Sequence, residues 1–269
     1  MKMKEIAKAI LDYHPNIGER EATTVDTFKS GDPEAECTGI VTTIWPTIEV
    51  IKKTHEMGYN LIIPHEPTFY NNADKVDWWE DNSVYLEKLD LLKRLNITIW
   101  RDHDHLHAHK PDGIRYGVMK ELGWEDYLYG DPDRPTYFKL PRTTVRELAL
   151  FIKEKLMLNM VRVIGNLDSE ISTVHFGSHA YPLVPDNRHI NILEKGGVDV
   201  LIPGELIDWT VTSYVYDAVQ LGRAKAILSI GHFNGENLAM KYAGNWISTL
   251  INHAVPITYI NAGDMFNYV

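Results

Sequence analysis

The chain has 269 residues, 44% of them hydrophobic and 24% charged, with a formal net charge of −10. That length allows one large or two modest domains with proper cores, and an acidic balance with no Lys/Arg cluster argues against a nucleic-acid backbone as the main partner. Cys37 is the single cysteine, which excludes an internal disulfide framework and a cysteine-based zinc site.

In chain order, the N-terminal segment reads as an amphipathic helix on Ile6, Ile10 and Leu11. It lacks the uninterrupted apolar run of a secretory signal, and no run reaches the length of a membrane span. The expectation is a cytoplasmic protein with no membrane partner. Residues 47–53 predict a helix, and Leu61-Ile62-Ile63-Pro64 a strand that stops at His65-Glu66-Pro67. Ser83 to Leu95 predicts another helix, and Ile97 to Trp100 a strand that stops before His103. Gly130 to Pro135 is a turn-rich connector, and Thr144 and Glu147 have the capping-box spacing that opens a helix through Lys155. Val161 to Ile164 and Ile171 to Phe176 are predicted strands.

The stretch from His189 to Glu205 then repeats the pattern of 47–66: a helix, a glycine stop, and an apolar strand ending in Ile-Pro-x-Glu. Thr210 to Leu221 and Ala224 to Ile230 repeat the next helix and strand, ending at Gly231-His232. Short apolar strands alternating with helices predict an α/β fold of two duplicated lobes with mixed sheets. The expected lobes are 1–125 with 227–269, carrying most of the site, and 126–226.

Ligands of open α/β sheets gather beyond the carboxyl ends of strands. His65, Glu66, His103, His107, Glu205 and His232 all lie just past such an end. Imidazole is the commonest side-chain metal ligand and carboxylates complete such sites, so three separated segments of this kind point to one shared metal centre. The run His103 to His109 places four histidines in seven residues. His103 and His107 are neighbours if it turns, and alternate residues share a face if the strand continues. The reading is that His103 and His107 bind metal, with His105 and His109 as supporting or surface groups; the plain alternative is a solvated polar loop.

His232 and Glu236 can point the same way at the entrance to a helix. His175 and His179 follow another predicted strand, where a pocket role and a core or rim role weigh equally. His14, His55 and His253 carry no signal. His65-Glu66 superficially suggests a His-Glu-x-x-His zinc site, but Phe69 stands at the second histidine's place and Pro67 denies the helix.

These residues together resemble the Nif-three-like dinuclear metal centre family, whose members are also called GTP cyclohydrolase 1 type 2 homologs. The family's His-His-Pro is similar to His65-Glu66-Pro67. Its His-Thr-Asn-Leu-Asp, followed by glycine, resembles His103-Asp104-His105-Leu106-His107 with Gly113. Its Thr-Gly-Asp resembles Pro203-Gly204-Glu205, and its Gly-His with Glu four residues on resembles Gly231, His232 and Glu236. Two departures stand out: Glu66 replaces a histidine and His107 an aspartate, so the inventory of four imidazoles and two carboxylates is kept.

The resemblance implies two intertwined lobes with the metal site between them, and a ring-shaped homohexamer. It also implies two divalent ions per chain, of iron, manganese, zinc, cobalt or nickel. In that reading His65, His103, His107 and His232 are terminal ligands, Glu236 or Glu66 bridges, and Glu205, Asp104 or an outer histidine moves protons. The expected activity is hydrolysis of a C–N, amide or phosphoester bond in a small molecule, with ring opening of a purine nucleotide suggested by the family label. No phosphate-cradling glycine loop is present, so a nucleotide would rely on the metals and on residues such as Arg115 and Arg188. The competing reading is a non-enzymatic metal-binding scaffold or regulatory partner. An amidohydrolase or polymerase-type phosphoesterase barrel of eight βα units, prompted by His103-x-His105, ranks last because too few such units are legible.

Overall fold

Apolar runs of three or four residues, each followed by an amphipathic helix, have one economical solution: strands buried in a sheet beneath helices. The computed structural model describes residues 1–77, 80–177, 179–180 and 188–269. In chain order its first part comprises α1 (Met3–Tyr13), β1 (Phe28–Ser30), β2 (Ile40–Thr43), α2 (Ile48–Glu56), β3 (Leu61–Pro64), α3 (Ser83–Arg94), β4 (Thr98–Trp100), α4 (Asp104–Ala108) and α5 (Gly113–Leu122). There follow β5 (Tyr137–Thr144), α6 (Val145–Lys155), β6 (Arg162–Ile164), β7 (Glu170–Phe176), α7 (Arg188–Glu194), β8 (Val200–Ile202), α8 (Val211–Gln220), β9 (Ala226–Ser229), α9 (His232–Leu250) and β10 (Ile257–Tyr259).

The chain forms two compact units, Met1–Gly117 with Ala239–Gly263, and Val118–Leu238 with Asp264–Val269. The divisions expected from the sequence, after 125 and after 226, both lie within the second unit. The actual boundaries fall inside α5 and α9, where a continuous helix gives no break in composition to read.

In the first unit the strand order is β1-β4-β3-β2-β10. β4, β3, β2 and β10 run parallel, and β1 is an antiparallel edge. Thr43 pairs with Pro64, so β2 and β3 end level and the chain leaves β3 at His65. Val41, Ile51, Ile62, Leu92 and Ile99 form the core beneath α2 and α3. Burying such a side chain contributes about 1.5–3 kcal/mol.

The second unit has the order β5-β7-β8-β9-β6, with β7, β8 and β9 parallel and antiparallel edges on both sides. Its core is built on Leu193, Val198, Leu201, Val215 and Ile227. The capping box is as the spacing predicts: Thr144 Oγ1 accepts from the Glu147 amide at 3.2 Å, and Glu147 Oε2 accepts from the Thr144 amide at 2.9 Å. The passages β2-α2-β3-α3-β4 and β7-α7-β8-α8-β9 repeat one arrangement, as the sequence echo implies. Among the described residues no helix is long and apolar enough to cross a membrane.

Two buried cations fix the loop that follows β3. Arg101, just past β4, donates from Nε to the His65 carbonyl at 2.8 Å and from Nη1 to the Asn72 carbonyl at 2.6 Å. Lys88 of α3 donates to the Thr68 carbonyl at 2.7 Å and lies over the rings of Phe69 and Tyr70. Burial pulls the Lys88 ammonium down from 10.5 to about 8. Between those values the unfolded chain binds the extra proton, so stability rises with pH. Relative to Lys88→Met, the wild type is therefore expected to gain about 2 kcal/mol between pH 8 and 9.5. Urea unfolding of both proteins at the two pH values checks this, and a constant difference would contradict it.

Candidate metal centre

The first cluster is built in the first unit from the ends of two adjacent parallel strands. His65 follows β3, and His103 follows β4 as the residue that caps α4. The His103–His109 run is a short helix, so His103 and His107 share a face, and their ring centroids lie 5.0 Å apart. His65 stands 4.5 Å from the ring of His103 and 4.9 Å from that of His107. Each of the three offers a ligand atom within 4.8 Å of the others.

Their hydrogen bonds decide what those atoms are. Nδ1 of His65 is 3.0 Å from the Asp102 carbonyl, Nδ1 of His103 is 2.9 Å from Asp104, and Nδ1 of His107 is 3.1 Å from Asp112. A carbonyl or carboxylate oxygen only accepts, so all three Nδ1 atoms carry a proton, and in the neutral imidazole that leaves each Nε2 lone pair for a ligand role. Outer partners of this kind orient metal-ligating histidines and raise their basicity. Burial, reinforced by His103 and His107, holds His65 well below the usual imidazole range, so it stays neutral.

The supporting shell was not legible beforehand. Asp26, fully buried, accepts from the amides of His103 at 2.7 Å and Asp104 at 3.0 Å through one oxygen. Its other oxygen accepts from the His105 amide at 2.8 Å and contacts His105 Nδ1 at 2.6 Å. Asp112 accepts from the amides of Ile114 and Arg115 at the start of α5 while also holding His107. Asp104, named as a proton carrier, sits behind His103, whose hydrogen bond is the main reason its carboxyl lies well below the usual range. Glu66 is buried beside His65 with Oε2 3.6 Å from the Arg101 guanidinium. His14, which the sequence left without a role, is a buried histidine 3.4 Å from Asp102 and 3.3 Å from His109.

The second cluster belongs to the second unit and again uses strand ends. Gly231, at φ +87°, turns the chain from β9 into α9, which His232 opens. One turn on, Glu236 brings Oε2 to 3.1 Å from His232 Nε2. Glu205, past β8, contacts Nδ1 of His232 with one oxygen and Nδ1 of His179 with the other. His179, past β7, joins His232 and Glu236 in a group of ligand atoms within 4.8 Å of one another. The His232 ring thus lies between two acceptor carboxylates, an arrangement that asks for a cation on the Glu236 side, either a proton or a metal ion. Burial alone would raise the Glu205 pKa; hydrogen bonds from His179 and His232 outweigh it and hold the carboxyl well below the usual range. Glu205, named with Asp104 as a proton carrier, is therefore positioned as the common anchor of two imidazoles.

His179 was equally a pocket or rim residue in the sequence. The signal that could have favoured a ligand role is its place past β7, which matches that of His65 past β3. Gly204 makes room for it: a Cβ there would stand 2.7 Å from His179 Nδ1. Gly204→Ala is expected to weaken any metal binding by this cluster while changing overall stability by about 1 kcal/mol or less. Elemental analysis beside thermal unfolding checks the pair of outcomes.

Three imidazoles in one cluster, and two imidazoles with a carboxylate in the other, fit a borderline divalent transition ion better than calcium or magnesium, which prefer oxygen. Comparison with known proteins agrees with the fold. The family model described as Duf34/NIF3 (NGG1p interacting factor 3) matches residues 1–263. A GTP cyclohydrolase 1 type 2 homolog of Clostridium perfringens (strain 13 / Type A) is 25% identical over 244 residues, 88% of this chain and 87% of that protein. The homolog of the same name in Staphylococcus aureus (strain COL) is 23% identical over 232 residues, 86% of this chain, which spans only 60% of that relative's length. The crystal structure of a Bacillus cereus protein related to NIF3 superposes with a TM-score of 0.75 at 15% identity, covering 100% of this chain and 99% of that one. With the family match running over nearly its whole length, the chain belongs to the DUF34/NIF3 family.

Proposed function

We propose that this protein is a metal-dependent hydrolase with two divalent ions per chain, one on His65, His103 and His107 and one on His179, His232 and Glu236. The observation that carries this reading is the common tautomer of the first three histidines, whose Nδ1 protons all go to carbonyl or carboxylate oxygens. Divalent ions held there would polarise a substrate oxygen and lower the pKa of water toward neutrality. Asp104, Asp112 and Glu205 keep the imidazoles in place, and Glu66, beside His65, is the further carboxylate available as a ligand.

The names of the relatives bring purine nucleotides to the head of a substrate screen that also includes amides and phosphoesters. Protein reconstituted with iron, manganese or zinc is expected to show saturable, metal-dependent turnover of a member of these classes. It should be abolished by His65→Ala or His232→Ala. Bound ions with no turnover across the screen would favour the scaffold reading instead.

A further inference from the structure

Beside the second cluster, wholly within the second unit, lies a cavity of about 500 Å³. That is the size range of sites for small organic ligands. Its walls are mostly apolar, and three of them are flat: Phe233 at the start of α9, with Phe266 and Tyr268 from the C-terminal segment. Glu205 and His232 border it, so whatever occupies it touches the candidate metal cluster.

One cation faces the same space. Arg162 lies on the edge strand β6, paired opposite Ser229 of β9, and donates from Nη2 to Ser229 Oγ at 3.1 Å. Arg142, Arg146 and Arg223 of this unit each face a carboxylate, of Glu170, Asp168 and Glu194 respectively. Among the described residues Arg162 has no such carboxylate partner. Of the nearby acids, Glu205 is engaged by His179 and His232, and Asp264 accepts from the Tyr268 hydroxyl at 3.0 Å. The first turn of α9, represented in the cavity by His232, Phe233 and Asn234, adds the positive end of a helix of 19 residues.

We infer that this cavity binds an aromatic or heteroaromatic ring carrying a single oxyanionic group, with the ring among Phe233, Phe266 and Tyr268 and the oxyanion on Arg162. The inference rests on the hydrolase reading for the role of such a molecule as substrate, with its reacting bond toward His232. Flat walls favour a flat ligand. A guanidinium fork matches a carboxylate or a phosphate in two-point contact. One guanidinium, with no glycine loop, suits a carboxylate or monophosphate better than a triphosphate.

Titration calorimetry on the zinc-reconstituted full chain tests this, with 2-naphthoate against its neutral amide and adenosine 5′-monophosphate against adenosine. At least one acid is expected to bind about tenfold or more tighter than its neutral counterpart, and the arm that responds identifies the oxyanion. Arg162→Gln should bring that ratio to near one, and Phe266→Ala should weaken acid and neutral compound alike. Equal binding of acid and neutral compound, a preference that survives Arg162→Gln, or no binding at millimolar concentration would each overturn the inference. Metal content of the same samples separates the two readings: an Arg162-dependent preference in protein that holds no metal keeps the cavity and removes the hydrolase, and bound metal without the preference does the reverse.

Discussion

If each cluster holds an ion as proposed, His65→Ala is expected to remove the first and leave the second, and His232→Ala to do the converse. Losing an outer partner of a ligating histidine typically costs 10–100-fold in metal affinity, and losing a ligand costs more. On that scale Asp112→Ala, which strips His107 of its acceptor, is expected to weaken the first ion by about 10–100-fold without abolishing it. Each ion also stabilises the fold it binds, by about 4 kcal/mol at a thousandfold excess over its dissociation constant. Saturating zinc should accordingly raise the melting temperature of the wild type more than that of either variant. Elemental mass spectrometry and thermal unfolding together read both effects. Loss of both ions from either single variant would show that the clusters do not load separately.

Asp26→Ala is expected to be the most damaging single change outside the ligands. The carboxylate is buried, and its two oxygens take the amides of His103, Asp104 and His105 and the His105 ring at 2.6–3.0 Å. With it gone, the first turn of α4 loses its capping acceptor and the His105 imidazole loses a buried counter-charge, for about 3–5 kcal/mol. Asp26→Asn keeps one acceptor oxygen but turns an amide toward His105, so an intermediate loss is expected. Because His103 and His107 sit on α4, both variants should lose the first ion while the second stays. Urea unfolding and metal content check this together, and a wild-type midpoint for Asp26→Ala would refute the role assigned to it.

The contrast between these two cases explains what the sequence discloses. His65, His103, Glu205 and His232 are legible because each follows an apolar run, and strand ends are where parallel sheets gather ligands. The pairs 103/107 and 232/236 are legible because they repeat at one helical turn. Asp26 is not, since it acts on residues 77 to 79 positions away and belongs to no periodic segment. Asp112 has the same character, and so does His14, whose partner Asp102 lies 88 residues on.

The fold shows the same division. The strands β3, β4, β8 and β9 are apolar and bounded by turn residues, so periodicity finds them. β5 escapes because Lys139, Pro141 and Arg142 break its apolar pattern; the antiparallel edge position, with one side open to solvent, explains why they are tolerated. The sequence leaves α4 open between a turn and a continuing strand because five residues are too few for a periodic signal, and tertiary hydrogen bonds donated to Asp26 hold it as a helix.

The most direct test of the account is X-ray absorption at the zinc edge on His232→Ala protein reconstituted with zinc, where only the first cluster should load. The spectrum is expected to show nitrogen neighbours at about 2.0–2.1 Å with the multiple scattering of three imidazole rings. A shell of oxygen neighbours with one imidazole or none would contradict the claim that His65, His103 and His107 turn their Nε2 atoms onto one ion.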